Sequence, residues 1–176
     1  MARPALLQQA ERAFAADVRA GLAHGPQKEL PSLYLYDTIG SGLFEVITAL
    51  PEYGVTRAEE RIVRRHAAEM ASRLPHALVA ELGSASGRKT RFLLEAIGRR
   101  HPVSYCPVDI SPSALALCRH ELADIPGVRI VGYERDYLDG LRQIVSERKA
   151  ARPVLVLFLG STIGNFRRLA ATRFMR

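Results

Sequence analysis

The sequence is poor in cysteine, in lysine and in long apolar runs. Only Cys106 and Cys118 are present. They fall in a strand-like and a helix-like segment without metal-type spacing, so buried free thiols are expected. The five histidines are scattered, and no pair has the spacing of a helical zinc site, so no metal is expected. No uninterrupted apolar run approaches the roughly 20 residues that span a bilayer, so no membrane association is expected. The opening residues, Met1-Ala2-Arg3-Pro4-Ala5-Leu6, run into charges without the apolar core of a signal peptide. A cytoplasmic location is the expectation. Lysine is confined to Lys28, Lys89 and Lys149, so arginine carries nearly all of the net charge of +7. Such a charge raises nucleic acid as a partner. Yet the basic residues are spread along the chain and mixed with acids, as in Arg57-Ala58-Glu59-Glu60-Arg61. No basic run is interleaved with aromatics as in common RNA-binding modules. Most of the charge reads as solvated helix faces, and no nucleic-acid partner is expected.

What is present centres on Val79-Ala80-Glu81-Leu82-Gly83-Ser84-Ala85-Ser86-Gly87-Arg88-Lys89-Thr90. An apolar strand ends in an acid, breaks into a loop of small residues and starts a helix. Glycines there let a backbone approach a ligand and adopt positive φ. The helix start offers free N–H groups and a positive dipole end. This is the nucleotide-site turn of an open α/β sheet, although an ordinary strand-to-helix connection would read similarly.

The flanking pattern favours the first reading. Pro4 to about Ala23 is predicted as an amphipathic helix, with Leu6, Leu7, Ala10, Phe14 and Val18 at helical spacing. Gly40-Ser41-Gly42 marks a turn, followed by a short helical face of Leu43, Phe44, Ile47 and Leu50. Thr56 is the expected N-cap of a helix from Arg57 to about Arg73. Beyond it strands and helices alternate. The strands are Leu78–Leu82, Val103–Val108, Val128–Tyr133 and Val154–Leu159. The helices are Arg88–Arg100, Pro112–Leu122 with Ser111 as cap, and Leu138–Lys149. Alternation of this kind predicts a parallel, doubly wound α/β sheet. Val154–Leu159 is apolar enough for a strand buried on both faces.

Ligands in such sheets bind at the carboxyl ends of strands. The first strand ends in Glu81 and the small-residue loop. The second ends in Val108-Asp109-Ile110-Ser111, where an acid can accept two hydrogen bonds from ribose hydroxyls. The third leads to Asp136 and Tyr137, a carboxylate and an aromatic face suited to adenine. The fourth ends in Gly160-Ser161-Thr162-Ile163-Gly164-Asn165-Phe166, which sets small residues and one amide beside the reactive end of a ligand. Asp109 and Asn165 are also plausible helix caps, and Asp136 and Tyr137 plausible loop residues. A dinucleotide site favours a fuller Gly-x-Gly-x-x-Gly loop than this. A nucleoside without phosphates, such as S-adenosylmethionine, demands less of it, and acidic strand ends suit its sulfonium.

The motifs Leu35-Tyr36-Asp37-x-x-Gly40-Ser41-x-Leu43-Phe44-Glu45-x-Ile47, Leu50-Pro51-Glu52-Tyr53 and Thr56-Arg57 resemble the histidine-specific S-adenosylmethionine-dependent methyltransferases. Those enzymes make trimethylhistidine (hercynine) in ergothioneine biosynthesis. Glu81-Leu82-Gly83-Ser84, Lys89-Thr90, Tyr105-x-Pro107-Val108-Asp109-Ile110-Ser111 and Leu157-Phe158-Leu159-Gly160-Ser161-Thr162-Ile163-Gly164-Asn165-Phe166 are similar to the same family. The resemblance covers about Leu30 to Phe166.

It implies a Rossmann-like class I methyltransferase fold, with an N-terminal helical and substrate-lid region over 1–74 and an S-adenosylmethionine-binding domain over 75–176. It implies that Tyr53, Gly83, Lys89, Asp109, Asp136 and Tyr137 line the S-adenosylmethionine site. Tyr36, Phe44 and Asn165 would line the pocket for L-histidine, Asn165 holding the α-amino group. The chain departs from the family at Gly54, where a second tyrosine is usual, at Ala85 and Gly87 in the loop, and at Tyr137, where phenylalanine is commoner. Family members continue well past the fourth strand. The resemblance therefore implies an N-terminal portion with the sheet truncated after strand four, with little or no methyltransferase activity and marginal stability as a monomer. The full-length enzyme is expected to be monomeric. Three alternatives stay open: a relative acting on another amino acid or an indole amine, a nicotinamide-dependent oxidoreductase, and a non-catalytic nucleoside-binding or interaction module.

Overall fold

The structure, a computed structural model, describes residues 5–23, 25–74, 76–149 and 152–175. It divides into two compact units, one ending at Leu35 and one beginning at Tyr36.

In the first unit helix α1 spans Ala5–Ala23. Phe14 and Val18 follow the predicted spacing, and Phe14 meets the Tyr34 ring edge-on at 4.7 Å. The Tyr34 hydroxyl donates to Asp17 at 2.5 Å. Pro4, expected to open the helix, is outside the described residues, as are the side chains of Leu6, Leu7 and Ala10.

The second unit opens with two helices, α2 (Thr38–Ala49) and α3 (Gly54–Ser72). Both begin earlier than the sequence suggests. Gly40-Ser41-Gly42 is not a turn but part of α2. The Asp37 side chain accepts from the Gly40 amide at 2.7 Å. That cap, worth about 1 kcal/mol, supplies a nucleus upstream of the glycines, and neither glycine takes positive φ. Helix α3 starts at Gly54 with Tyr53 at the N-cap and no side-chain cap, so Thr56 lies inside the helix. The Arg57 guanidinium holds the approach by donating to the carbonyls of Leu50, at 2.7 Å, and Pro51.

The rest alternates as predicted. Its elements are β1 (Leu78–Leu82), α4 (Arg88–Gly98), β2 (Val103–Asp109), α5 (Pro112–Leu122), β3 (Val128–Ile130), β4 (Tyr133–Glu134), α6 (Tyr137–Glu147), β5 (Val154–Leu157) and α7 (Arg168–Phe174). All strand pairings are parallel. The order is β3-β2-β1-β5, with β4 also on β2. The expected strand Val128–Tyr133 is broken in two because Pro107 interrupts its partner. On the side of β2 facing β3, Tyr105 accepts from Val131 at 2.9 Å and Asp109 from Arg135 at 3.3 Å. Pro107, between them on that side, has no N–H to give, and the ladder lapses at Val131-Gly132.

Two cores sandwich the sheet. On one face Val79, Tyr105 and Leu157 pack with Val63, Leu93, Leu94, Ile97, Cys118 and Leu122 of α3, α4 and α5. On the other Ala80, Leu82, Cys106 and Val108 pack with Ile144 of α6, Tyr137 and Phe174. Strand β5 pairs only with β1 among the described residues. It is less enclosed than its apolar sequence suggests, with Val156 46% exposed. Among the described residues, no helix is long and apolar enough to cross a membrane.

Candidate functional site

A cleft of about 340 Å³ opens at the carboxyl ends of β1 and β5. Its floor is Glu81, 2% exposed. The Thr90 hydroxyl donates to that carboxylate at 2.7 Å, and the buried Tyr105 hydroxyl donates to its other oxygen. Burial outweighs these bonds and pushes the carboxyl up to about 7. Burial also raises Tyr105 well above the usual phenol range, with Glu81 adding to the effect.

The loop above is shaped by left-handed backbone at Gly83 (φ 70°), Ala85 (φ 46°) and Gly87 (φ 71°). A Cβ on Gly83 would stand 2.9 Å from the Tyr137 hydroxyl oxygen. The glycine therefore keeps a gap between the loop and an aromatic. Asp109 braces the loop: one carboxylate oxygen accepts from the Ala85 amide at 3.3 Å, the other from Ser111 at 3.0 Å. Burial raises the Asp109 carboxyl, and those amides pull it partly back.

The opposite wall comes from the segment between Tyr36 and Glu60. Tyr36, Phe44, Tyr53 and Asn165 all line the cleft. Phe44 and Tyr53 meet edge-on at 6.3 Å. The Asn165 amide donates to the Tyr36 hydroxyl at 3.1 Å, so that residue ties the loop after β5 to the wall. It does not cap α7, whose N-cap is Arg167.

Six of the nine residues singled out by sequence thus share the cleft: Tyr36, Phe44, Tyr53, Gly83, Lys89 and Asn165. Asp109, Asp136 and Tyr137 stand outside its lining. Asp109 and Tyr137 reach it through the loop, as described. Asp136 is exposed and caps α6, accepting from the Asp139 amide at 3.0 Å.

The residue that sequence reasoning missed is Glu59. Its charged neighbours predict a solvated helix face, yet its carboxylate lines the cleft. One oxygen accepts from Lys89 Nζ at 2.7 Å and the other from the Gly160 amide at 2.6 Å. The signal was helical spacing: Glu59 stands four and eight residues before Val63 and Ala67, both buried, so α3 turns it inward. Among the described residues no group of His, Cys, Asp and Glu could hold a metal ion.

An open parallel sheet, a glycine loop leading into α4 and an acid at the end of β2 together define a Rossmann-like methyltransferase fold. Residues 14–176 match the family described as histidine-specific, SAM-dependent methyltransferase, and the chain belongs to that family. It is 42% identical over 151 residues to the histidine N-alpha-methyltransferase of Mycobacterium tuberculosis, covering 85% of this chain and 46% of that one. It is 37% identical over 154 residues to the ergothioneine biosynthesis protein 1 of Neurospora crassa, covering 86% and 18%. It is also 37% identical over 164 residues to a 4-dimethylallyltryptophan N-methyltransferase of Epichloe festucae var. lolii, covering 88% and 46%. The chain spans about half the length, or less, of these relatives.

Proposed function

We propose that the protein is an S-adenosylmethionine-dependent N-methyltransferase whose acceptor is the α-amino group of L-histidine, giving hercynine in ergothioneine biosynthesis. The observation that carries this reading is the meeting of Tyr36, Phe44, Tyr53 and Asn165 with the strand-end loops in one cleft. The residues present fit a nucleoside donor. Gly83 holds open a cradle that a Cβ would fill, and Asp109 offers a buried carboxylate at the end of β2. In this reading Asp109 takes the ribose hydroxyls, and Tyr137 and Asp136 the adenine. Gly83 and Lys89 take the amino-acid arm.

Segment 36–74 serves as the acceptor lid, and residues 75–176 hold the donor. The donor supplies a methyl group on a sulfonium, already activated for displacement. The chain's work is then positioning. Asn165, held by Tyr36, keeps its amide oxygen to orient the acceptor amine, and Phe44 and Tyr53 wall off water. With the donor bound, these residues would hold the acceptor amine against the methyl group it takes, and such positioning can supply up to about 7–11 kcal/mol of a barrier.

Calorimetry with S-adenosylhomocysteine, followed by transfer of labelled methyl from S-adenosylmethionine to L-histidine or L-tryptophan, tests the reading. Binding with label on histidine is the expected outcome. Label on tryptophan alone would move the acceptor to an indole amino acid, and no binding would remove the donor assignment.

A further inference from the structure

We infer that Glu59 and Lys89 act as one reader of a zwitterion, Glu59 taking the donor's α-ammonium and Lys89 its α-carboxylate. The inference rests on the donor reading of the cleft and adds to it a binding residue on α3, outside the strand-end loops.

The sheet order fixes which end of the ligand meets this pair. Asp109 closes β2, while Lys89 opens the helix after β1 and Gly160 follows β5. From β2 to β5 is two strand spacings, roughly 10 Å. A ribose on Asp109 therefore puts adenine toward β4 and the amino-acid arm toward β1 and β5, where Glu59 waits.

The charges fix what that end must be. A lone lysine over a helix N-terminus would suit any anion, phosphate included. Here the Glu59 carboxylate lies 2.7 Å from the ammonium, with each side chain about a quarter exposed. The pair is close to neutral as a unit, so a simple anion gains little from it. A group bearing both signs matches it term by term.

The valences permit the match. A carboxylate offers about four lone-pair sites, and Lys89 and the Gly160 amide use two. Capacity remains for an ammonium. The bond from Gly160 also fixes how the carboxylate is turned. Gly160 itself, at φ 84°, takes a backbone conformation that a side chain would strain.

The test compares three probes by calorimetry on the full chain and on Glu59→Gln. They are S-adenosylhomocysteine, its analogue lacking the α-amino group, and 5′-methylthioadenosine, which lacks the whole amino-acid end. The parent should bind the deaminated analogue at least about tenfold more weakly than S-adenosylhomocysteine, the loss expected of a charge-assisted hydrogen bond. In Glu59→Gln that ratio should fall to within about twofold, with 5′-methylthioadenosine bound equally by both proteins. An unchanged ratio, or an equal weakening of all three probes, would overturn the inference while leaving the nucleoside reading intact. A parent that binds the first two probes equally would overturn it without recourse to a variant that must fold. Failure of all three to bind would remove the nucleoside reading and this inference together.

Discussion

Glu81 is buried with two hydroxyl donors and, among the described residues, no ion-paired cation, so its ionisation is costly. A glutamate ordinarily titrates at 4.5; burial holds this one to about 7. Between those values the folded chain keeps a proton that the unfolded chain has released. Stability from this group is thus fully present below the unfolded value and is lost as pH rises through about 7. The loss is on the order of 2–3 kcal/mol across the window, at about 1.4 kcal/mol per unit. In Glu81→Gln that slope disappears. Urea midpoints at pH 5 and pH 8 check this; equal losses in both proteins would show that other groups set the slope. Asp109 braces the loop, and in the proposed function it takes the ribose hydroxyls as well. Asp109→Ala should weaken S-adenosylmethionine binding at least about a hundredfold, from two unmade ribose bonds at roughly 1.5–3 kcal/mol each. Asp109→Asn, which keeps one acceptor, should lose less. Calorimetry on variants shown by melting to be folded reads the difference, and affinity equal to the parent would dismiss the ribose role.

At the level of elements, α6 lies close enough to the sheet that one residue sets its distance. A Cβ on Gly140 would come within 2.4 Å of a Val108 methyl. Gly140→Ala gains up to about 1 kcal/mol of helix propensity but overpacks the core at roughly 1–3 kcal/mol. A net loss of about 1 kcal/mol is expected, read as a lower urea midpoint with unchanged slope.

The legibility of the elements divides along the same physical lines. Strand β1 and helix α5 have the bounds that the sequence predicts, because a buried apolar run and the Ser111-Pro112 start are strong local signals. The split of β3 from β4 depends on Pro107 on the neighbouring strand, a non-local cause that pattern reading along β3 cannot see. The start of α2 turned on whether the Asp37 cap outweighed two glycines. Glu59 is hidden in the sequence because its charge suggests a solvated face, and only its helical phase with Val63 and Ala67 turns it inward. Asn165 is legible from its place after the fourth strand, whereas Tyr36 and Phe44 are legible as site residues only through the family motifs, Tyr36 standing 129 positions from the amide it meets.

At the scale of the whole second unit, the sheet separates two packed layers that share no side chain except through the strands. Its two thiols fall one to each layer: Cys118, on α5, in the layer with α3 and α4, and Cys106, on β2, in the layer with α6. Both are buried, at 0% and 2% exposure, and burial pushes them up to about 12 and about 11. Neither can meet an alkylating reagent as a thiolate while its layer is closed. Each cysteine is therefore a clock on its own side of the sheet. If the layers come apart in one cooperative step, Cys106 and Cys118 will label at a common rate in sub-denaturing urea. If the α6 layer peels first, Cys106 will label ahead of Cys118, and mass spectrometry of the two peptides will time the opening of each half of the core.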